Sequence, residues 1–224
     1  MIPIRDENPT RRFPFVTVAF IAANVVVFVY QMTLPPAALQ KFVYTFGAIP
    51  ILLTRDLLQL PQVPAHWTGL FSSMFVHGGI MHLAGNMLYL WIFGNNVEDY
   101  LGRLKFILFY VVCGLAAALA HTFSDVTSAI PMIGASGAIS GVLGAYLILY
   151  PRARVVVLIW FFFFIRFVRV PAFLVLGLWF VMQIPGALGD ESGIAWFAHI
   201  GGFVFGFLVI RLLGRGRPRQ PRYV

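Results

Sequence analysis

The chain has 224 residues, of which 60% are hydrophobic and only 11% are charged, and its formal net charge is +8. Soluble domains carry about a quarter charged residues, so this composition excludes an ordinary soluble domain and indicates an all-α polytopic membrane protein. The positive charge is explained by basic residues that flank membrane helices on the cytoplasmic side, so we expect no nucleic-acid partner.

Six apolar stretches are predicted to be membrane helices, for which about 20 mostly apolar residues are the usual requirement. In chain order they run from Phe13 to Met32, Ile80 to Val97, Leu104 to Phe123, Ser136 to Tyr150, Val170 to Leu188 and Ile194 to Leu213. We therefore predict a bundle of six transmembrane helices within a membrane domain, 13–213. It is preceded by an N-terminal segment, 1–12, and followed by a basic tail, 214–224.

Two further segments are apolar in part but do not fit a membrane crossing. Residues 37–67 contain charged residues and several prolines, which favours short amphipathic helices at the membrane interface. Residues 155–165 are too short for a crossing and have arginines at both ends. We therefore expect an interfacial or re-entrant segment that begins and ends on the same side.

The basic residues set the orientation of the predicted helices, because Lys and Arg are enriched on the cytoplasmic side. With the N-terminus inside, only Lys41 and Arg55 lie outside, and the other 14 of the 16 basic residues lie inside. Both termini are then cytoplasmic. A seventh crossing by residues 155–165 would break this agreement downstream, which favours six helices.

Four polar residues lie within the predicted helices, where polar groups are costly and usually functional. They are His82 and Asn86 on the second helix, Ser136 at the start of the fourth, and His199 on the sixth. These three helices all enter from outside, so the four side chains lie within about 10 Å of the outer end. Helices far apart in sequence thus carry polar groups at one depth on one side of the membrane.

The chemistry of these residues fits nucleophilic catalysis. A serine hydroxyl such as that of Ser136 needs a base, and a histidine such as His199 is the usual base near neutral pH. His82 and Asn86 are four residues apart, so they share a helix face and can donate hydrogen bonds to an oxyanion. Small residues bring membrane helices close together, and the relevant ones are Gly137, Gly141, Gly144, Gly202 and Gly206. All the acidic residues are predicted at termini, loops or helix ends, so we predict a Ser–His dyad.

Each of these residues has a plainer interpretation when it is taken alone. Small residues around Ser136 are common where membrane helices pack, and a lone interior histidine such as His199 is more often a hydrogen-bonded structural group. His77, in the turn before the second helix, is interpreted as structural. A metal site made of His77 and His82 is disfavoured, because their spacing of five misses the i, i+4 pair. The common depth of the four residues favours catalysis over packing.

Three motifs in this order resemble those of the rhomboid intramembrane serine proteases, in particular the bacterial six-helix type. They are HGGIMHLAGNM at 77–87, GASG at 134–137 and AHIGGFVFG at 198–206. The resemblance implies that Ser136 is the nucleophile and His199 the general base. It also implies an oxyanion site formed by His82, Asn86 and the Ser136 amide.

The resemblance has further implications for the loops. Residues 34–67 correspond to the first loop of the family, which lies sideways in the outer leaflet, and residues 187–194 correspond to a cap over the water-filled site. Glu98 is similar to a structural acidic residue at the inner end of the second helix. The chain departs from the family where many members have Trp-Arg and it has His-Trp-Thr-Gly at 66–69. First-loop anchoring is therefore expected to differ.

We therefore expect an intramembrane serine endopeptidase that needs no metal or cofactor. Its expected partners are single-span transmembrane substrates, cleaved near the outer face, and the lipid bilayer; the oligomeric state is left open. We expect a bacterial inner membrane as its location.

Two other classes of protein are alternatives. One is a non-catalytic rhomboid-like protein that binds membrane clients, and such proteins typically lack one residue of the dyad. The other is a transporter or channel. The polar residues gather near one face and do not line a path through the bilayer, which disfavours the transporter.

Overall fold

The computed structural model describes residues 2–58, 66–161, 163–189 and 194–213, and these are mainly helical, as the sequence predicts. The helices are α1 (Phe15–Thr33), α2 (Pro36–Phe46), α3 (Pro50–Leu58), α4 (Thr68–Ser72), α5 (Ile80–Tyr89), α6 (Asn95–Leu101), α7 (Arg103–Ser124), α8 (Ser136–Leu149), α9 (Ala172–Val181), α10 (Gln183–Gly189) and α11 (Trp196–Leu213). A 3₁₀ turn covers Ser73–Phe75, and a π-helical stretch, Leu90–Gly94, joins α5 to α6.

The apolar helices account for the membrane-embedded character of the protein. Within the described residues, three helical segments are long and apolar enough to cross a membrane, namely Phe15–Thr33, Arg103–Ser124 and Ala172–Gly189. The apolar stretches Ser136–Leu149 and Trp196–Leu212, which form α8 and nearly all of α11, are shorter. The predicted second membrane helix corresponds to the run from α5 through the π-helical stretch to α6.

Helix α8 lies at the centre of the bundle and packs against α7 and α11. Most of its side chains are buried, and Leu143 and Tyr146 have no exposed surface. Two glycines on α11 allow the close approach, because a Cβ atom at Gly202 or Gly206 would overlap a backbone carbonyl of α8. The predicted contact between small residues of these two helices is therefore present.

A three-stranded antiparallel sheet is the part of the fold that the helical prediction did not include. Its strands are β1 (Ile2–Asp6), β2 (Arg154–Phe161) and β3 (Phe164–Pro171), in the order β1-β2-β3. The segment expected to be interfacial or re-entrant is thus a β-hairpin, in keeping with its run of β-branched and aromatic residues. Val155 and Val157 are fully buried in the core of the bundle, which ties the base of the hairpin to the helices.

Polar contacts hold the N-terminal segment against the bundle. The carboxylate of Asp6 accepts hydrogen bonds from the Tyr146 hydroxyl, at 2.6 Å, and from the Asn96 amide, at 2.9 Å. Glu98 accepts hydrogen bonds from the backbone N–H groups of Val16 and Thr17, at 3.0 and 2.8 Å. A carboxylate at the start of α1 satisfies N–H groups that have no partner within the helix and interacts favourably with the helix dipole.

The first loop is anchored largely through its backbone. Ala48 forms an antiparallel bridge with Met132, and the hydroxyl of Ser72 donates to the carbonyl of Phe46 at 2.7 Å. Gly69 lies against the backbone of Gly47, where a Cβ atom would be only 2.5 Å from the carbonyl oxygen. Three predicted features lie outside the described residues: the loop stretch 59–65, the cap residues 190–193 and the basic tail 214–224.

Candidate active site

A tight turn places Ser136 at the start of α8. Gly134 has a φ of 119°, a backbone conformation that favours glycine, and its N–H donates to the Ser73 carbonyl at 2.9 Å. A side chain at Gly134 would also be obstructed, because its Cβ would lie 2.7 Å from Nε2 of His82. Ser136 is the first residue of α8, so the N–H groups of this first turn have no partner within the helix.

His199 lies directly opposite Ser136 on α11. Its Nε2 atom is 2.8 Å from Oγ of Ser136, a hydrogen-bond distance for a hydroxyl donor. The close approach of α8 and α11 at Gly137 and Gly202 makes this contact feasible. The two residues that the sequence predicts as a dyad are thus hydrogen-bonded to each other.

The other ring nitrogen of His199 is bonded to Gln183. Its Nδ1 is 2.9 Å from Oε1 of Gln183, and Nε2 of Gln183 donates to the Trp179 carbonyl at 2.6 Å. A carbonyl can only accept, so the amide nitrogen of Gln183 faces Trp179 and its oxygen faces the imidazole. Nδ1 of His199 therefore carries the proton, and Nε2 is free to accept the proton of Ser136.

Two tryptophans enclose the imidazole of His199. The ring centroids of Trp179 and Trp196 each lie 5.9 Å from the centroid of His199, at interplanar angles of 39° and 86°. Edge-to-face and tilted arrangements at this separation are favourable for aromatic rings. The side chain of His199 is thus held by packing as well as by its two hydrogen bonds.

His82 and Asn86 supply hydrogen-bond donors beside the turn that leads to Ser136. The N–H of Gly78 lies 3.4 Å from Nδ1 of His82, which leaves the ring proton on Nε2. From a Cβ position at Gly134, Nε2 of His82 is 2.7 Å away and Nδ2 of Asn86 is 3.6 Å away. Asn86 is buried, and its Nδ2 has no hydrogen-bond partner within the described residues. A buried donor without a partner in the protein is available to bind an oxygen atom of a bound substrate.

All four predicted residues line one cavity of about 610 Å³. Its wall also includes Tyr89 from α5, Trp179 from α9 and the loop residues Ile130, Pro131, Met132 and Ile133. A cavity of this size, mostly apolar with a few converging polar groups, is typical of a substrate-binding site. The four residues thus lie together in space as well as at one depth in the sequence-based topology.

The remaining histidines differ from the dyad in their surroundings. His77 is buried, and its backbone N–H and carbonyl are both bonded to the Gln31 side chain, which ties the turn before α5 to α1. His121, which received no role from the sequence, lines the cavity from α7. Within the described residues, no group of three or more His, Cys, Asp and Glu side chains could hold a metal ion.

Gln183 is the site residue that the sequence reasoning missed. It is the one amide side chain in the apolar run 170–188, and it therefore met the same criterion of a polar group within a predicted membrane helix. The predicted dyad has no third member, because the acidic residues are all predicted at termini, loops or helix ends. A neutral amide on α10 takes the place next to His199 that a carboxylate occupies in many serine proteases.

Comparisons with known proteins agree on one family. A family model described as Rhomboid domain matches residues 64–216, more than half of the chain. The chain is 35% identical over 150 residues to Rhomboid protease GluP of Bacillus subtilis (strain 168), covering 66% of this chain and 26% of that protein. It is 28% identical over 218 residues to RHOMBOID-like protein 1 of Arabidopsis thaliana, covering 88% of this chain and 52% of that protein. The chain thus spans about half or less of the length of these relatives.

Proposed function

The chain belongs to the rhomboid family, and we propose that it is an intramembrane serine endopeptidase that uses Ser136 and His199 as a catalytic dyad. The observation that carries the proposal is the 2.8 Å contact between Oγ of Ser136 and Nε2 of His199 on the wall of a substrate-sized cavity. Membership of a family that includes named proteases supports protease chemistry.

The reaction is acyl transfer in two steps. Oγ of Ser136 attacks the carbonyl carbon of the scissile peptide bond while its proton moves to Nε2 of His199. The tetrahedral intermediate collapses, the C–N bond breaks, and the leaving amine takes the proton from His199. Water then attacks the acyl-enzyme while His199 takes its proton. The ester bond to Oγ breaks, His199 returns the proton to Ser136, and the carboxylic acid is released.

Gln183 acts as a positioning residue for the base. Its amide oxygen accepts the Nδ1 proton of His199 and fixes the tautomer in which Nε2 accepts the proton of Ser136. The same oxygen stabilises the imidazolium that forms after proton transfer, although a neutral oxygen does so less strongly than a carboxylate. The hydrogen bond from Nε2 of Gln183 to the Trp179 carbonyl prevents a rotation that would exchange the amide oxygen and nitrogen.

The oxyanion of the tetrahedral intermediate is stabilised by Nε2 of His82, Nδ2 of Asn86 and the backbone N–H of Ser136. The two side chains project from one face of α5 toward the turn at Gly134. Donors that are already oriented stabilise developing charge without further reorganisation. In this role the unpartnered amide of Asn86 gains its partner in the transition state.

The substrates we propose are single-span transmembrane proteins, cut near the outer end of the membrane helix. This follows from the sequence-based topology, with both termini cytoplasmic and the dyad near the outer side of a bacterial inner membrane. The largely apolar wall of the cavity suits a segment unwound from a transmembrane helix.

Labelling with a fluorophosphonate tests the nucleophile directly. The reagent phosphonylates an activated serine with loss of fluoride, so we expect the wild-type chain to be labelled and Ser136→Ala not to be. Ser140→Ala is a matched control, because Ser140 is buried one turn along α8 and donates to the Ser136 carbonyl at 2.6 Å. Labelling that persists in Ser136→Ala, or that is lost in Ser140→Ala alone, contradicts the assignment.

A further inference from the structure

The end of the β2–β3 hairpin projects an apolar surface away from the bundle. We define the hairpin tip as residues 160–161 and 163–167. Its exposed apolar side chains are Trp160, Phe161, Phe163, Phe164, Ile165 and Phe167, and the exposed fraction ranges from 60% for Ile165 to 97% for Phe163. Contiguous exposed apolar surface of this kind marks a binding surface for a membrane or a partner.

The base of the hairpin lies at one end of two apolar helices. Strand β2 begins shortly after the end of α8, and β3 leads directly into α9. The N–H of Ala172 donates to the Ala153 carbonyl at 2.8 Å, so the two strands leave the apolar helices at the same end of the bundle. The hairpin therefore starts and finishes where membrane helices meet the lipid headgroups.

The base of the hairpin is fixed, so the tip cannot fold back onto the bundle. Val155 and Val157 are fully buried, and β1 pairs with β2 on its other edge. Glu7, just after β1, forms an ion pair with Arg169 of β3 at 2.7 Å. The tip beyond these contacts keeps its aromatic side chains exposed.

The positive charge of the hairpin indicates what kind of partner its tip binds. Residues 151–171 contain four arginines and no acidic residue. Arg166 is exposed and lies opposite Ile159, between the aromatic residues of the tip. Tryptophan and arginine are both suited to the membrane interface, where an apolar body or stem contacts acyl chains and the polar end reaches the headgroups. The guanidinium group also binds phosphate through paired hydrogen bonds.

We propose that the hairpin tip inserts into the interfacial layer of the adjacent leaflet and that Arg166 binds the phosphate of an anionic lipid. A second copy of the chain is the poorer occupant, because two tips would bring like-charged arginines together. The inference rests on the exposed surface and the charge of the hairpin and is independent of the proposed protease function.

Insertion is tested with a fluorophore at the tip in the full chain reconstituted in lipid vesicles. Phe163→Cys provides the attachment point, since the native Cys113 is fully buried. We expect the probe to lose most of its fluorescence with lipids brominated near the top of the acyl chains and little with aqueous iodide. A probe at Val126→Cys, in the polar loop after α7, is the control and should show the reverse. A tip probe that responds to iodide alone overturns the proposal.

Lipid selectivity is tested with the same probe. Brominated phosphatidylglycerol should quench the probe about five times more effectively than brominated phosphatidylcholine. This is the ratio expected for one basic residue at an anionic surface. Arg166→Gln should abolish this preference, whereas Arg55→Gln, an exposed arginine on α3, should keep it. An equal response to both lipids in the wild-type chain overturns the role of Arg166. If energy transfer between labelled tips is observed in place of quenching by lipid, the tips associate with each other. This result overturns the proposed insertion.

Discussion

The side-chain oxygen of Gln183 lies 2.9 Å from Nδ1 of His199, on the opposite side of the ring from Ser136. This contact completes a chain of hydrogen bonds from the Trp179 carbonyl through Gln183 and His199 to the Ser136 hydroxyl. The imidazole of His199 is thus oriented by a neutral amide of α10, whereas His199 lies on α11 and Ser136 on α8.

Removal of this amide should slow the chemical step. Gln183→Leu keeps the volume but loses the acceptor, and the loss of one such hydrogen bond should lower kcat about tenfold with little change in KM. Gln183→Glu should restore the rate in part and move the acid limb of the pH–rate profile to higher pH, because a carboxylate favours the imidazolium.

Steady-state cleavage of a transmembrane substrate across a pH range measures both effects. Met182→Leu, at an exposed neighbouring position, is the control and should behave as the wild type. A pH profile that is identical in the wild type and Gln183→Glu would contradict the positioning role.

The proposed oxyanion donors should act on the transition state more than on the bound substrate. Asn86→Ala removes the unpartnered buried amide, and kcat should fall by about a hundredfold or more, the usual effect of losing one oxyanion donor. Asn24→Ala is a control that removes a buried amide from α1, where Nδ2 is bonded to the Phe20 carbonyl. An Asn86→Ala variant that raises KM while kcat is unchanged would show that Asn86 merely contacts the substrate.

The close packing of α8 and α11 should be sensitive to single methyl groups. A Cβ at Gly206 would overlap the backbone of Gly141 on α8, so Gly206→Ala should destabilise the fold by about 1–3 kcal/mol through overpacking. Gly177→Ala on α9 is the matched control, because a Cβ atom at Gly177 would meet no neighbouring group within 4 Å. Thermal unfolding in detergent compares the two. Equal stability of both variants would contradict the packing described for α8 and α11.

The Asp6 carboxyl should make stability depend on pH. Burial raises the pKa of Asp6 to about 6, and the hydrogen bonds from Tyr146 and Asn96 offset only part of this effect. The folded state therefore holds the proton more tightly than the unfolded chain, whose Asp pKa is about 3.9. The resulting stabilisation is complete below about pH 4 and is lost as the pH rises to about 6.

Asp6→Asn tests this linkage, because its amide oxygen can still accept from Tyr146 and it cannot ionise. We expect the variant to lack the decline of the wild type between about pH 4 and about pH 6 and to be the more stable protein at neutral pH. Unfolding curves at several pH values measure the difference. Curves that run parallel for the two proteins would contradict the raised pKa.

The sequence was sufficient to predict the helical bundle and the family, and the comparisons confirm the family. Long apolar runs locate membrane helices because the bilayer requires them, and the common depth of Ser136 and His199 follows from the topology. The structure brings these two residues to hydrogen-bond distance. Their catalytic roles stay predictions.

The sheet and Gln183 were harder to predict for different reasons. Strand β1 has only five residues, and its partner β2 lies far away in the sequence, so no local pattern pairs them. The hairpin strands form one apolar run that hydropathy alone cannot distinguish from a short helical segment. Gln183 satisfies the criterion of a polar group within a membrane helix, but a carboxylate is the group that usually orients a histidine base, so the sequence alone gives this neutral amide no role.

The central claim is that Ser136 is the nucleophile of an intramembrane protease. Reconstitution of the purified chain in liposomes with a single-span transmembrane substrate tests it most directly. We expect the wild type and Ser140→Ala to cleave the substrate near the outer end of its helix, and Ser136→Ala to yield no product. Cleavage by Ser136→Ala at the wild-type rate would contradict the account.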